Sequence, residues 1–599
     1  MIGANGSHKD AADRFHNGTD THAYEYLGAH REGERFLFRG WAPRAKAVWV
    51  SGDFCEWNAA AIPMKRVTDG GVWEASVDAR AIRAGQTYKY RILGDGGEVY
   101  KADPFGTAMQ KPPETASVIA DTEGYRWRDA GWLGYRKQHF TRERIGAEPI
   151  NVYEVHLGSW ARGEQGELLR YPALARELAT YAKQMGYTHV ALLPVCEYPY
   201  DPSLGYQSCG FFAPTARYGT AEEFMSFVDV LHEAGIGVIL DWTAGIFPKD
   251  AHGLFAFDGQ PLYEYGKADR IEETACGECL FDLGKHEVRS FLASNAVYWI
   301  ERYHIDGLRL AAVDAMLCAD GERARDFLCS LNAMLAHDYP DVITVGNRDE
   351  GLGFTLQKSN GWTEESMRYL ETDPLWRRYE HGRLHAALQN ASQKGSLLAV
   401  SHDEGGSLVG RMHGDARQKL ASARLFLTYM MTHPGKKLLF MGGELGMLHA
   451  WEHTRALDWS LTDREPHARF QYFCAELNHL YLEQSPLWER DGEEDGFAWI
   501  DSENADLSIC SYRRIDAAGR ELLILLNFTP VLRRDCLLEV GAEGVYEELL
   551  NSDAKKYGGD GVENVGALKT VSLSAQDGRS AVCIQLPPLS AIVLRKRDD

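Results

Sequence analysis

The sequence predicts a multidomain chain: an N-terminal β-sandwich, a central (β/α)8 barrel and a C-terminal β-sandwich. Three observations predict it. Short runs of strand-forming residues broken by Gly-, Asn- and Asp-containing turns fill the first part of the chain. Apolar β runs alternate with amphipathic helical segments through the middle. The short-strand pattern then returns towards the end. A length of 599 residues holds this many units, at roughly 100–200 residues per domain.

Taken in order, residues 1–32 read as a polar lead-in with a short helix. Residues 33–125 read as the first sandwich, with strands at Phe36–Phe38, Val48–Val50, Val72–Val77 and Tyr88–Ile92. Residues 126–485 read as the barrel. Its apolar runs are Asn151–His156, His189–Pro194, Gly237–Trp242, Gly307–Leu310, Val342–Val345, Leu397–Asp403 and Lys437–Gly443, with helical stretches such as Ala221–Ala234 and Glu287–Tyr303 between them. Repeated units of this kind imply parallel strands joined by crossover helices, and about eight of them over roughly 330 residues favour a closed barrel over an open sheet. Residues 486–599 read as a second sandwich, carried by Leu522–Asn527 and Ala591–Leu594.

Composition narrows the partners. With 64 basic and 86 acidic residues the formal net charge is −22, which repels nucleic acid and anionic membranes. Aromatics make up 11% of the chain, enough to supply flat apolar faces for sugars, though a large core uses them equally. The first twenty residues contain no apolar signal-peptide core, and no stretch of about 18 apolar residues occurs, so the expectation is a cytoplasmic protein without a membrane span. The 11 cysteines are scattered and odd in number, as expected of reduced thiols. Cys276 and Cys279 form the one close pair, and no second pair accompanies them to complete a zinc site. No nucleotide, metal or nucleic-acid motif is found, and no cofactor is expected.

In a barrel, chemistry sits where strands end. The polar residues just after the apolar runs are therefore the candidates: Asp241, Arg309, Asn347 and the run His402, Asp403, Glu404.

Several segments then carry a resemblance: Asn151–Trp160, Gly205–Gln207, Ala213–Thr215, Ala234–Trp242, Phe247–Leu254, His304–Arg309, Ser401–Glu404 and Phe440–Glu444. Together they resemble bacterial 1,4-α-glucan (glycogen) branching enzymes of the α-amylase superfamily, from about Phe15 to the C-terminus. The first sandwich is similar to the family's glycogen-binding-like module at Trp41–Pro43, Gly52–Asn58 and Lys101–Phe105. The resemblance implies a retaining transfer: a carboxylate attacks the anomeric carbon, a carboxyl protonates the leaving oxygen and a third carboxylate stabilises the distorted sugar.

The same resemblance exposes departures. The nucleophile position, two residues after Arg309, holds Ala311. The acid/base position holds Asn347; only the third carboxylate is kept, as Asp403. A family substrate-binding His falls at Ile246, another at Tyr198, and an active-site Trp at Leu204. The segment Val313–Leu331 is shorter than the family's loop there, the turn after Glu404 runs directly into Gly405–Ser407, and positions around Gly353–Lys358 are altered. Shortened loops together with a changed site indicate natural erosion rather than an engineered knock-out.

Alanine forms no glycosyl ester and asparagine donates no proton at neutral pH. The expectation is a catalytically silent relative that binds or senses α-1,4-glucan or glycogen and scaffolds or regulates an active glycogen enzyme. Two alternatives stay open: an active transferase or hydrolase using relocated carboxylates (Asp314, Asp349 or Glu350), and an interaction platform without glucan affinity. Candidate sugar contacts are Tyr206, as a stacking platform, with Gln207, Asp241, Arg309 and His402 in the barrel, and Trp57, Trp49 and Lys89 in the sandwich. Each has a bland counterpart: Arg309 pairing with Asp241 or Asp403 to satisfy a partly buried charge, Tyr206 as a rim or core aromatic, and the three acids as a solvated loop face. His156 and Trp160 read mostly as packing.

Overall fold

The computed structural model describes residues 8–266, 274, 277–347, 351–564, 566–573 and 579–597. Cys276, Asp349 and Glu350 therefore lie outside the described residues.

The lead-in contains the helix His8–His16, which buries Ala11, Ala12 and Phe15. Two antiparallel sheets follow. One runs in the order Gly28–Glu32, Arg35–Trp41, Val72–Asp78, Lys65–Arg66; the other runs Ile62–Pro63, Ala47–Gly52, Thr87–Gly94, Gly97–Lys101, with Ser117–Val118 also on Thr87–Gly94. Strict alternation of half-buried and buried positions along Thr87–Gly94 sends Tyr88, Tyr90 and Ile92 into the core. Both tyrosine hydroxyls donate to Asp103 Oδ2, at 2.8 and 2.9 Å. Burial nevertheless pushes the Asp103 carboxyl up to about 6.

Eight strands close the barrel: β1 Asn151–Val155, β2 His189–Leu192, β3 Gly237–Trp242, β4 Gly307–Leu310, β5 Ile343–Asn347, β6 Leu356–Lys358, β7 Ser396–Val400 and β8 Lys436–Phe440. Strands buried along almost their whole length are the mark of a parallel barrel covered by helices. The strand β6 has only three residues. Three helices matter below: α1 Val313–Asp338, with a break at Asp320, α2 Ala416–Thr432 and α3 Glu465–Glu483. The C-terminal region is all-β, an antiparallel eight-stranded sheet over Phe497–Lys596 whose core includes Leu523, Leu525, Tyr546, Val582, Ile592 and Leu594.

Two compact units divide the chain. The first takes residues 1–138, 156–179 and 191–354; the second takes 139–155, 180–190 and 355–599.

Within the first unit, Asp306 sets the start of β4. It lies buried, accepting from Trp132 Nε1 (2.8 Å), Arg136 (3.0 Å), His232 Nε2 (2.8 Å) and the Val238 amide (2.6 Å). His232 binds Asp129 on its other nitrogen at 2.9 Å. Burial alone lowers the His232 pKa; Asp306 and Asp129 outweigh it and hold the imidazole up at about 9.

No helix among the described residues is long and apolar enough to cross a membrane. The described cysteines are all free thiols.

Candidate functional site

The rim of the first unit is built from β3, β4 and β5. Asp241 and Arg309 are register partners on β3 and β4, so neighbouring parallel strands bring them together. Arg309 grips Asp241 with two parallel bonds, Nε to Oδ1 and a terminal nitrogen to Oδ2, each 2.5 Å. Asp241 is 3% exposed. Of the two partners open to Arg309, the structure selects Asp241. The Tyr206 hydroxyl donates to the same carboxylate. A tight turn aims that tyrosine: Leu204 and Gly205 both have positive φ (57° and 95°), and a Cβ at Gly205 would stand 2.4 Å from the Pro194 carbonyl oxygen. Gln207 donates to Glu278 Oε1 at 3.0 Å. Burial raises the Glu278 pKa, but bonds from Thr274 and Gln207 bring it below its ordinary value.

Ala311 lies just past the end of β4, its amide donating to the Trp242 carbonyl at 3.0 Å. The chain turns at once. Ala312 sits in the left-handed region (φ 62°) and α1 starts at Val313. Where the resemblance leads one to expect a loop, the chain forms a helix, and its small residues Ala315 and Ala319, with Ala312, pack against a cluster of Ile246, Tyr265 and Leu280. Ile246 belongs to a two-stranded antiparallel ribbon with Leu280. The position expected to hold a sugar-binding His therefore forms an apolar seam beside the position expected to hold the nucleophile. Asn347, at the end of β5, is half-buried and donates to Asp314 Oδ2 at 2.7 Å.

The other family positions in this unit are also occupied structurally. The ring of Tyr198 is buried beneath the Arg217 guanidinium, 3.7 Å from ring centroid to Cζ. His156 and Trp160 are buried, with His156 Nδ1 bonded to Ser159 Oγ at 2.7 Å.

In the N-terminal module Trp57 is exposed (40%), and its indole NH donates to Asp53 at 2.8 Å. Asp53 is fixed in turn by the Thr87 amide and hydroxyl, at 2.7 and 2.8 Å. Trp49 is covered by the Arg91 guanidinium at 4.5 Å, and Lys89 Nζ turns to Thr115 Oγ1 at 2.6 Å. Of the three candidates in the module, Trp57 presents an open, braced aromatic face.

The rim of the second unit is built from β1, β6 and β7. Buried Glu154, on β1, accepts from the Ser401 hydroxyl, the His402 amide and His402 Nδ1, each at 2.9 Å. This orients the His402 ring with Nδ1 protonated. Asp403 is more than half exposed, yet Lys358 Nζ, from the end of β6, reaches both of its oxygens at 2.8 and 2.9 Å and Glu404 Oε1 at 3.4 Å. Burial raises the Asp403 pKa; the ammonium of Lys358 outweighs burial and holds it below the usual carboxylate range. Glu404 goes the other way, raised by burial. A small cavity next to Glu404 is bordered by Arg411, Phe440, Met447, His449 and Trp451. Sequence reasoning passed over Glu154 and Lys358. Both are ordinary members of apolar strands until β7 brings its polar end against them. No group of three or more His, Cys, Asp or Glu able to hold a metal occurs among the described residues.

A carbohydrate-module sandwich, a parallel barrel whose rim carries polar side chains and an all-β C-terminal domain define an α-amylase-type architecture. The first sandwich matches the model of carbohydrate-binding module 48 (isoamylase N-terminal domain) over residues 26–106, and the last domain matches the alpha amylase C-terminal all-beta domain over 499–597. Solved structures share the fold: pullulanase type I from Bacillus subtilis (TM-score 0.74, 17% identity, 96% of this chain and 85% of that one) and pullulanase from Bacillus acidopullulyticus (0.71, 16%, 95% and 75%). Among curated relatives, the 1,4-alpha-glucan branching enzyme of Aromatoleum aromaticum is 40% identical, covering 97% of this chain and 96% of its own. That of Aquifex aeolicus is 40% identical, covering 97% of each. The chain belongs to the 1,4-alpha-glucan branching enzyme family.

Proposed function

We propose that this chain is a catalytically silent branching-enzyme relative that holds α-1,4-glucan without cleaving it and serves as a scaffold or regulator for an active glycogen enzyme. The observation that carries the reading is the surroundings of Ala311: a methyl group at the nucleophile position, backed by the Ile246–Ala312–Ala315 seam and lacking a carboxylate at Asn347. Removing the nucleophile of a covalent mechanism costs on the order of 10⁴–10⁶ in rate. What remains suits holding a sugar. His402 is oriented by Glu154, Tyr206 is braced against Asp241, and Trp57 offers an exposed ring on the module. The acidic surface suits a neutral polymer.

A second reading rests on Asp314, whose carboxylate lies 2.7 Å from the Asn347 amide nitrogen and so beside the acid/base position. A protein using it would be a weak hydrolase or transferase.

One preparation distinguishes the readings. Incubation with amylose, followed by the iodine spectrum and a count of α-1,6 linkages, should show no change, while electrophoresis through glycogen-containing gels should show retardation. Branching abolished by Asp314→Asn would establish the second reading. Free mobility in glycogen would leave an interaction platform without glucan affinity.

A further inference from the structure

Beside the loop that follows β8, the second unit contains a cavity of about 510 Å³ that the glucan reading does not use. Its walls come from the first turns of two long helices, Ala416 and Arg417 of α2 and Glu465, Pro466 and His467 of α3, with Arg424 one to two turns further along α2. Aligned peptide dipoles make helix starts favourable for negative charge; the α2 start is already capped by Asp415 at the Gln418 amide (2.9 Å), and at α3 the His467 amide bonds the Arg464 carbonyl at 3.0 Å, so the dipoles only assist a side-chain donor. Two starts open on one cavity here.

Arg424 supplies the independent observation. It is only 4% exposed, and its Nε donates to the Ser552 carbonyl at 2.7 Å. Its two terminal nitrogens have no hydrogen-bond or ion-pair partner among the described residues, and the side chain borders the cavity. Burial without a paired anion lowers its pKa to about 10, an unusual position for a guanidinium. The neighbouring charges are largely satisfied: Arg417 by Asp560, Arg469 by Glu465 and by the Lys555 carbonyl at 2.7 Å. Asp553 acts on Arg424 from beyond ion-pair range, its own carboxylate accepting from the Asp560 and Val562 amides. Among the described residues, the cavity therefore keeps one uncompensated buried cation, in a chain of net charge −22. The remaining wall is apolar, formed by Leu420, Leu448 and Pro466.

We propose that this cavity binds a small organic phosphate: a phosphoryl group on the fork of Arg424 between the two helix starts, and a compact organic body against Leu420, Leu448 and Pro466. A fork of parallel N–H donors matches phosphate oxygens, and the cavity falls in the size range of small-molecule sites, far larger than a bare ion needs. The site is distinct from the glucan positions, and occupancy would be felt beyond it. Leu448 lines this cavity while its neighbours Met447 and His449 line the cavity beside Glu404. His467 Nδ1 holds the Leu445 carbonyl of the same loop at 2.9 Å.

The test is calorimetric titration of the full-length protein, without glucan, using glucose 6-phosphate, adenosine monophosphate, glucose, orthophosphate and citrate as probes. At least one of the two monoesters should bind with Kd below about 1 mM, and orthophosphate at least about tenfold more weakly. The better monoester identifies a sugar or a nucleoside body. Arg424→Met should weaken it by more than about tenfold and Arg424→Lys by less. Leu448→Glu, at a partly exposed position, should weaken it similarly while leaving thermal unfolding unchanged, and decides the matter if the arginine variants fail to fold. Absence of monoester binding at about 10 mM, citrate binding as tightly as the monoesters, or full affinity in Leu448→Glu would each overturn the proposal.

Discussion

Replacing Arg309 separates a structural role from a sugar-binding one. In Arg309→Met, Asp241 would keep the Tyr206 hydroxyl but lose two 2.5 Å charge-assisted bonds while remaining 3% exposed. Leaving one partner of a buried pair uncompensated costs about 3–5 kcal/mol. Spread over a chain of 599 residues at about 2.1 cal/mol/K per residue, that lowers the unfolding midpoint by roughly 3 °C, and by more if the barrel melts separately. Asp241→Asn should cost a similar amount, because Arg309 loses both charge-assisted bonds to that carboxylate. The double variant should cost about 2 kcal/mol less than the sum of the singles, because each single change already forfeits the pair. Differential scanning calorimetry of the four proteins, with glycogen-gel mobility measured alongside, checks this. Additive costs, or an Arg309→Met shift equivalent to less than about 1 kcal/mol, would refute a mainly structural role for the pair.

Two further outcomes follow from the same geometry. His232, held up at about 9 between Asp306 and Asp129, contributes stability fully present below its unfolded pKa near 6.5 and lost as pH rises through 9; the loss is on the order of 3 kcal/mol, and His232→Gln should flatten the dependence of the melting temperature between pH 6.5 and 9.5. Trp57→Ala should weaken glycogen retardation about tenfold, the worth of one stacked ring, with stability changed by less than about 0.5 kcal/mol at this exposed turn.

Most of the architecture was legible in the chain because barrel strands buried on both faces leave long apolar runs. Seven of the eight strands stand out that way. The exception, β6, spans only Leu356–Lys358, too short for any periodicity to register, and its last residue holds Asp403. The assignment of Ala311 and Asn347 to the expected nucleophile and acid/base positions is a reading of motif spacing. What surrounds them was not legible that way. The sequence marks Val313–Leu331 only as a departure from the expected pattern, and the fold shows that it forms a helix and that Ile246 packs beside it. The partner of Arg309 also needed coordinates, since Asp241 and Asp403 are equal on paper and strand register decides between them. Arg424 carried no signal at all: one arginine in an amphipathic helix is unremarked until its terminal nitrogens are found without a mate.

The left-handed Ala312 bears on how this lineage can change. A carboxylate introduced at position 311 would project from a chain that coils within one residue, beside the electron-poor start of α1. That setting stabilises the anion and blunts its attack on carbon. On the proposed reading, Ala311→Asp alone would place a carboxylate in that setting, and the backbone at Ala312 would shape its reactivity. On that reading the turn at Ala312, and not the side chain at 311 alone, sets what this corner of the barrel can do.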